Sequence, residues 1–142
     1  MRTSEDCIFC KIVAGQIPCT KVFEDDTTLA FMDISPLNRG HLLVIPKEHF
    51  GNIIEIDPSL YGHLAETLCK MAKAMQAVVG PEGINVLQLN GRAGNQVVPH
   101  LHMHLVPRWT GDGLTITAWD PIPGNKDEIA ATAEAIRSKL PT

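Results

Sequence analysis

The sequence predicts an α+β fold, an antiparallel sheet covered by helices. Three observations lead there. Short β-type stretches, most of them parted by turn-forming residues, fall on both sides of one long helical segment. That segment carries Leu60, Leu64, Leu68, Met71 and Met75 at helical spacing, a single apolar stripe that needs a sheet to cover. The order is strands, long helix, strands, final helix, rather than a regular alternation of strand and helix.

The elements follow in order. Strands are expected at 22–24, 28–32, 41–45, 84–89 and 99–106, with "EDD", "SPLNRG" and "NGRAGN" as turns. The long helix has its own punctuation: Asp57 as N-cap, Pro58 in the first turn and Gly80 as the stop. A final helix is expected at 126–140, with Ile129, Ala133 and Ile136 on one side. The chain has 142 residues, 44% of them hydrophobic and 20% charged, with a formal net charge of −4. Such a length suits one domain, 1–142, burying roughly 70% of the unfolded chain's surface. The charge argues against coating a nucleic-acid polymer. No apolar run approaches the roughly 18 residues of a membrane span, and the N-terminus lacks a signal peptide's apolar stretch, so a cytoplasmic protein is expected.

Two patterns carry chemistry. Cys7 and Cys10 are spaced as a metal half-site or a redox pair. Cys19 and Cys69 have no partner at ligand spacing and read as small core residues. In "VVPHLHMHLVPRW", His100, His102 and His104 occupy alternate positions. On a strand they point the same way, about 6.6 Å apart per step, while Leu101, Met103 and Leu105 face the long helix. A row of imidazoles can be a solvated face, a metal site, or acid/base and nucleophilic machinery, since neutral imidazole attacks phosphorus. The preceding "NGRAGNQ" supplies glycines and the amides Asn90, Asn95 and Gln96, a combination that favours an anion such as phosphate. Asp33, a lone carboxylate in "FMDIS", is either a ligand-holding group or a turn-capping residue.

With these residues in view, the chain resembles the histidine triad (HIT) family, closest to its Hint-like branch. The signature, three histidines alternating with apolar residues, reads His100-Leu101-His102-Met103-His104-Leu105-Val106 without mismatch. "CIFCKIVAGQIPCTKVFEDDTTLAFMDISPLNRGHLLVIPKEH" is similar to the family's N-terminal half, and the resemblance covers roughly 5–119. The tail, with its helix at about 125–140, is more individual.

The resemblance implies a five-stranded antiparallel sheet with a long helix, assembled as a homodimer. It implies hydrolysis at the α-phosphate of purine nucleotide derivatives of the phosphoramidate type, through a nucleotidyl-histidine. AMP- or GMP-like ligands are expected, and no catalytic metal is required. His102 matches the nucleophile, His104 the phosphate-binding and proton-handling histidine, and His41 an orienting one. Asn90 matches a phosphate-pocket residue, with Asn95, Gln96 and Val97 in the same loop. Ile8, Phe9, Ile12, Phe31 and Ile34 match an apolar wall around the base, and Asp33 the ribose-holding carboxylate. Cys7, Cys10, His49 and His100 match a structural zinc site, one ion per chain, contributing to folding rather than chemistry.

Two positions depart from the pattern: Val97 stands where several branches carry Ser or Thr, and Asn95 replaces a frequent glycine. A histidine at 104, where the nucleotidylyltransferase branch has Gln, favours a hydrolase. The alternatives are a dinucleoside polyphosphate hydrolase or phosphorylase, and a nucleotide-binding interaction module with incidental turnover. His63 is expected to be merely exposed. The homodimer would use the long helix and the strand "INVLQLN", whose Val86 and Ile84 need cover.

Overall fold

In a computed structural model, residues 1–116 and 121–141 are described; Trp119, near the end of the resemblance, lies outside them. The chain falls into two compact units, Met1–Asp112 and Gly113–Thr142. The first holds α1 (Ile8–Val13), β1 (Lys21–Glu24), β2 (Thr28–Met32), β3 (Leu42–Pro46), α2 (Pro58–Val79), β4 (Gly83–Gln88) and β5 (Met103–Arg108). The second holds α3 (Lys126–Arg137), capped by Asn125 through Glu128 N–H at 3.0 Å.

The five strands form one antiparallel sheet in the order β1-β2-β3-β5-β4. Each face is dry. On one, Ala30, Leu42, Val44, Met103 and Leu105 pack beneath the α2 stripe of Leu64, Leu68, Met71 and Met75. On the other, Leu29, Phe31, Leu43 and Ile45 pack against Cys7, Phe9 and Cys10 at the start of α1. Strands covered on both faces read as near-continuous apolar runs, which is why "TLAFM" and "LLVIP" show no alternation.

The long helix is built as its sequence dictates. Asp57 Oδ1 accepts Ser59 N–H at 2.8 Å, Pro58 starts the first turn, and Gly80 closes it at φ 57°. Three expectations need correction. The last strand begins at Met103 rather than 99, because the backbone at His100–His102 is engaged elsewhere: Leu101 N–H donates to Phe50 O at 2.7 Å. Cys69 is not core; it is exposed on the outer side of α2, whereas Cys19 does pack, partly buried, against the Phe9 cluster. His63 is not simply solvated, since its ring lies 3.1 Å from Asp25 Oδ2 and 3.4 Å from Glu66 Oε2. α1, which no periodicity announced, is a fourth difference; Cys7 caps it, its Sγ accepting Cys10 N–H at 3.3 Å.

Candidate active site and metal centre

Two clusters of side chains meet at the segment before β5. In the first, Cys7, Cys10, His49 and His100 each offer one ligand atom, all within 4.8 Å of one another. Cys7 Sγ lies 3.3 Å and Cys10 Sγ 3.6 Å from His100 Nδ1; Cys10 Sγ lies 3.4 Å and His100 Nδ1 3.2 Å from His49 Nδ1. A tetrahedral zinc with Zn–S of about 2.3 Å and Zn–N of about 2.0 Å would set its ligands roughly 3.3–3.8 Å apart. The orientation fits as well as the size. His100 Nε2 donates to Pro46 O at 2.8 Å, which leaves Nδ1 as a bare lone pair facing the sulfurs. Burial pushes the Cys10 thiol above its ordinary range, a penalty that a coordinating cation would reverse. The residues present therefore fit a structural zinc.

The second cluster is a chain of imidazoles with assigned protons. Leu37 N–H donates to His41 Nδ1 at 3.0 Å, so the His41 proton sits on Nε2. His41 Nε2 then donates to His104 Nδ1 at 3.0 Å, which leaves the His104 proton on Nε2. His102 is fixed the opposite way: its Nδ1–H donates to His100 O at 2.7 Å, so Nε2 carries the lone pair. The His102 and His104 rings lie 4.9 Å apart, closer than a regular strand would hold them, because only His104 is on the strand. A bare ring nitrogen and a ring bearing an N–H donor thus stand side by side. Burial lowers the pKa of all three rings below the ordinary histidine value, with His104 held down to about 4, helped by the charges His102 and His41 would carry. All three are neutral near pH 7, as a nitrogen nucleophile must be.

Around these rings the other expected residues divide. Phe9 and Phe31 are buried and meet edge-on at 5.5 Å, and Phe9 also meets His102 edge-on at 5.1 Å. Ile12 is half-buried and packs on the same cluster, while Ile8 is 47% and Ile34 92% exposed. Asp33 does two things: Oδ1 accepts Ser35 N–H at 2.8 Å in a turn, and Oδ2 lies 3.5 Å from His41 Nε2. Asn90 Oδ1 accepts Ile53 N–H at 2.8 Å and Gln88 Nε2 at 2.9 Å. Gln96 braces the loop from inside, accepting Gly91 N–H at 2.8 Å and donating to Gly51 O at 2.6 Å. Asn95 closes a single 3₁₀ turn at Arg92–Gly94 with φ 67°, the left-handed conformation that Asn tolerates and glycine prefers. Val97 is 89% exposed.

One residue that sequence reasoning passed over is Asn38. Its carbonyl accepts His41 N–H at 3.1 Å, and its side chain donates to Pro107 O at 2.9 Å and Asp112 Oδ2 at 3.0 Å. It ties the loop holding His41 to the strand holding His104. Among the described residues no helix is long and apolar enough to cross a membrane.

Comparison with known proteins gives one consistent result. The family model described as "HIT domain" matches residues 14–111. Adenosine 5′-monophosphoramidase hnt1 of Schizosaccharomyces pombe is 42% identical over 134 residues, covering 94% of this chain and 98% of that protein. The crystal structure of a HIT family protein from Bacillus anthracis superimposes with a TM-score of 0.91 at 38% identity, covering 98% of this chain and 100% of the other. A Zn-bound histidine triad family protein from Mycobacterium smegmatis does so with a TM-score of 0.75 at 32% identity, over 96% and 100% of the two chains.

Proposed function

The chain belongs to the HIT domain family, and from that premise we propose that it is a nucleotide hydrolase that cleaves purine nucleoside phosphoramidates at the α-phosphate through a nucleotidyl-His102 intermediate. The observation that carries this reading is the hydrogen bond from His102 Nδ1 to His100 O, which leaves Nε2 as a lone pair beside a donor.

The chemistry runs in two displacements. His102 Nε2 attacks the α-phosphorus; an N–P bond forms as the bond to the amine or other leaving group breaks, and the amine departs with a proton taken up from solvent. His104, with its proton on Nε2, donates to a phosphate oxygen and offsets the charge that develops there. His41 keeps His104 in that tautomer. Water then attacks the same phosphorus and gives up its proton to solvent, the N–P bond breaks with its electron pair returning to Nε2, and a nucleoside monophosphate leaves with His102 in its starting form. Asn90 with Asn95, Gln96 and Val97 forms the phosphate loop, Gln96 as its brace. Phe9, Phe31, Ile8, Ile12 and Ile34 serve the base, and Asp33 the ribose. Cys7, Cys10, His49 and His100 would hold one zinc that contributes its ligation energy to folding. We also read the protein as cytoplasmic, in keeping with four free cysteines, and as a homodimer through β4 and α2.

The test is a substrate panel with two variants. Adenosine phosphoramidate should turn over to AMP, faster than diadenosine tetraphosphate with or without added phosphate. A protein that held AMP but turned over neither would be a binding module, and the reading would be wrong. His102→Ala should lose turnover by about three or more orders of magnitude while AMP binds within about tenfold. His104→Ala should lose both rate and affinity. Rapid quench with labelled substrate should place the adduct on the peptide containing His102.

A further inference from the structure

We propose that the metal-type cluster and the nucleophile form one mechanical unit joined at His100, so that filling the cluster sets the rate of the chemistry as well as the stability of the fold. The proposal rests on the functional reading above and extends it to the residues behind His102.

His100 faces two ways. Its ring, wholly buried, points Nδ1 at Cys7 and Cys10 and is locked from the far side by Pro46 O at 2.8 Å. Its main-chain carbonyl, two bonds from the same Cα, receives the Nδ1–H of His102 at 2.7 Å. A buried ring held at both nitrogens fixes its own backbone, and this backbone fixes the tautomer of the nucleophile. Released from that carbonyl, an imidazole is free to carry its proton on Nε2, the nitrogen that must attack.

A second link runs through Phe9, which stands between the two cysteines in α1. Its ring meets His100 edge-on at 5.8 Å and His102 edge-on at 5.1 Å. α1 has six residues, too few to hold itself together in water, and its N-cap is a thiol also offered to the cluster. Ligation of Cys7 and Cys10 therefore steadies the turn that seats Phe9, and Phe9 seats the nucleophile. The phosphate side of the site is held differently. His41 is fixed by Leu37 N–H and Asn38 O, His104 by His41, and Asn90 by Ile53 and Gln88. None of those bonds passes through the cluster. Emptying the cluster should thus impair attack more than it weakens binding: Ile8, Phe9 and Ile12 on the base side ride on α1 and loosen with it, while the phosphate side holds.

The experiment strips the full-length protein of metal with dipicolinate, verifies the fold by far-UV circular dichroism well below the stripped protein's Tm, and returns zinc stepwise. Three quantities are followed: kcat and KM for adenosine phosphoramidate, the AMP dissociation constant, and the ¹⁵N–¹H ring spectrum of His102. The expected result is a rise in kcat of at least about tenfold that tracks zinc occupancy, clearly larger than the accompanying change in AMP affinity. In parallel, His102 should pass from mixed tautomers to Nδ1–H alone. A stripped, folded protein with kcat within about twofold of the loaded one and His102 already wholly Nδ1–H would overturn the proposal. Should the stripped chain unfold, His49→Gln keeps Cys7, Cys10 and His100 while weakening the site. The same zinc titration on that variant decides between tracking, as expected, and a flat response, which overturns the coupling. A zinc-driven tautomer change without turnover of any nucleotide substrate would refute the hydrolase reading and leave the coupling standing.

Discussion

At the scale of the residue, most of the chemistry depends on where single protons sit. The types and spacing of His41, His100, His102 and His104 were legible in the sequence; their tautomers were not. Leu37 N–H and His100 O decide them, and a backbone group has no signature in a one-letter pattern. Gly40 shows the same dependence. It holds φ 97°, and a Cβ there would meet Pro107 Cγ at 3.3 Å and Val79 Cγ1 at 3.4 Å. Gly40→Ala should cost about 1–2 kcal/mol of stability by denaturant titration and lower kcat more than affinity, because it shifts His41 against His104. The buried rings also set the acid response. Above the ordinary histidine pKa of about 6.5, His104 is neutral folded or unfolded and contributes no pH dependence. Between there and about 4, the unfolded chain binds a proton that folded His104 refuses, so stability falls as pH falls. Glu24, held near 2 by Lys21 and then Lys47, acts only below its unfolded pKa of about 4. Tm measured from pH 7 to 4.5 should therefore decline, and His104→Asn should flatten that decline.

At the scale of the element, the strongest local signals gave the best agreement. α2 has a capping carboxylate, a proline at its first turn, a stripe and a left-handed glycine, and it runs between those marks, Pro58–Val79. Asp57→Ala should cost about 1 kcal/mol by loss of the cap, and Leu64→Ala about 2–5 kcal/mol by opening the core beneath it; thermal and urea unfolding measure both. α1 was missed because six residues are too few for a periodicity and because its cap is a cysteine, which reads as a ligand. The start of β5 was misplaced for a related reason. Alternation of His and apolar residues from 100 onward is strand-like, yet His100 N–H turns back to Val98 O and Leu101 N–H donates to Phe50 O instead of making ladder bonds. Nothing in the sequence setting of Ile34 revealed that it would be 92% exposed.

At the scale of the whole molecule, the sheet order leaves β1 and β4 as edges, and β4 presents Val86 at 52% exposure. An open edge beside an apolar side chain is a surface that proteins cover or blunt. That edge is one ground for the proposed homodimer, and light scattering at micromolar concentration should give about twice the 15.5 kDa chain mass. Elemental analysis of the same sample should find close to one zinc per chain. The sheet order has another consequence, in time rather than space. β5 emerges after the other strands yet lies between β3 and β4, with Leu42 paired to Leu105 and Val86 to the same residue from the other side. Until it arrives, β4 has no partner in the sheet, and α2 lacks one of the strands it packs against. Pairings so distant along the chain close late and slowly. During synthesis the ribosome therefore releases His102 and His104 almost together with the strand that completes the scaffold, and a chain cut short of β5 carries neither a finished sheet nor the full histidine cluster.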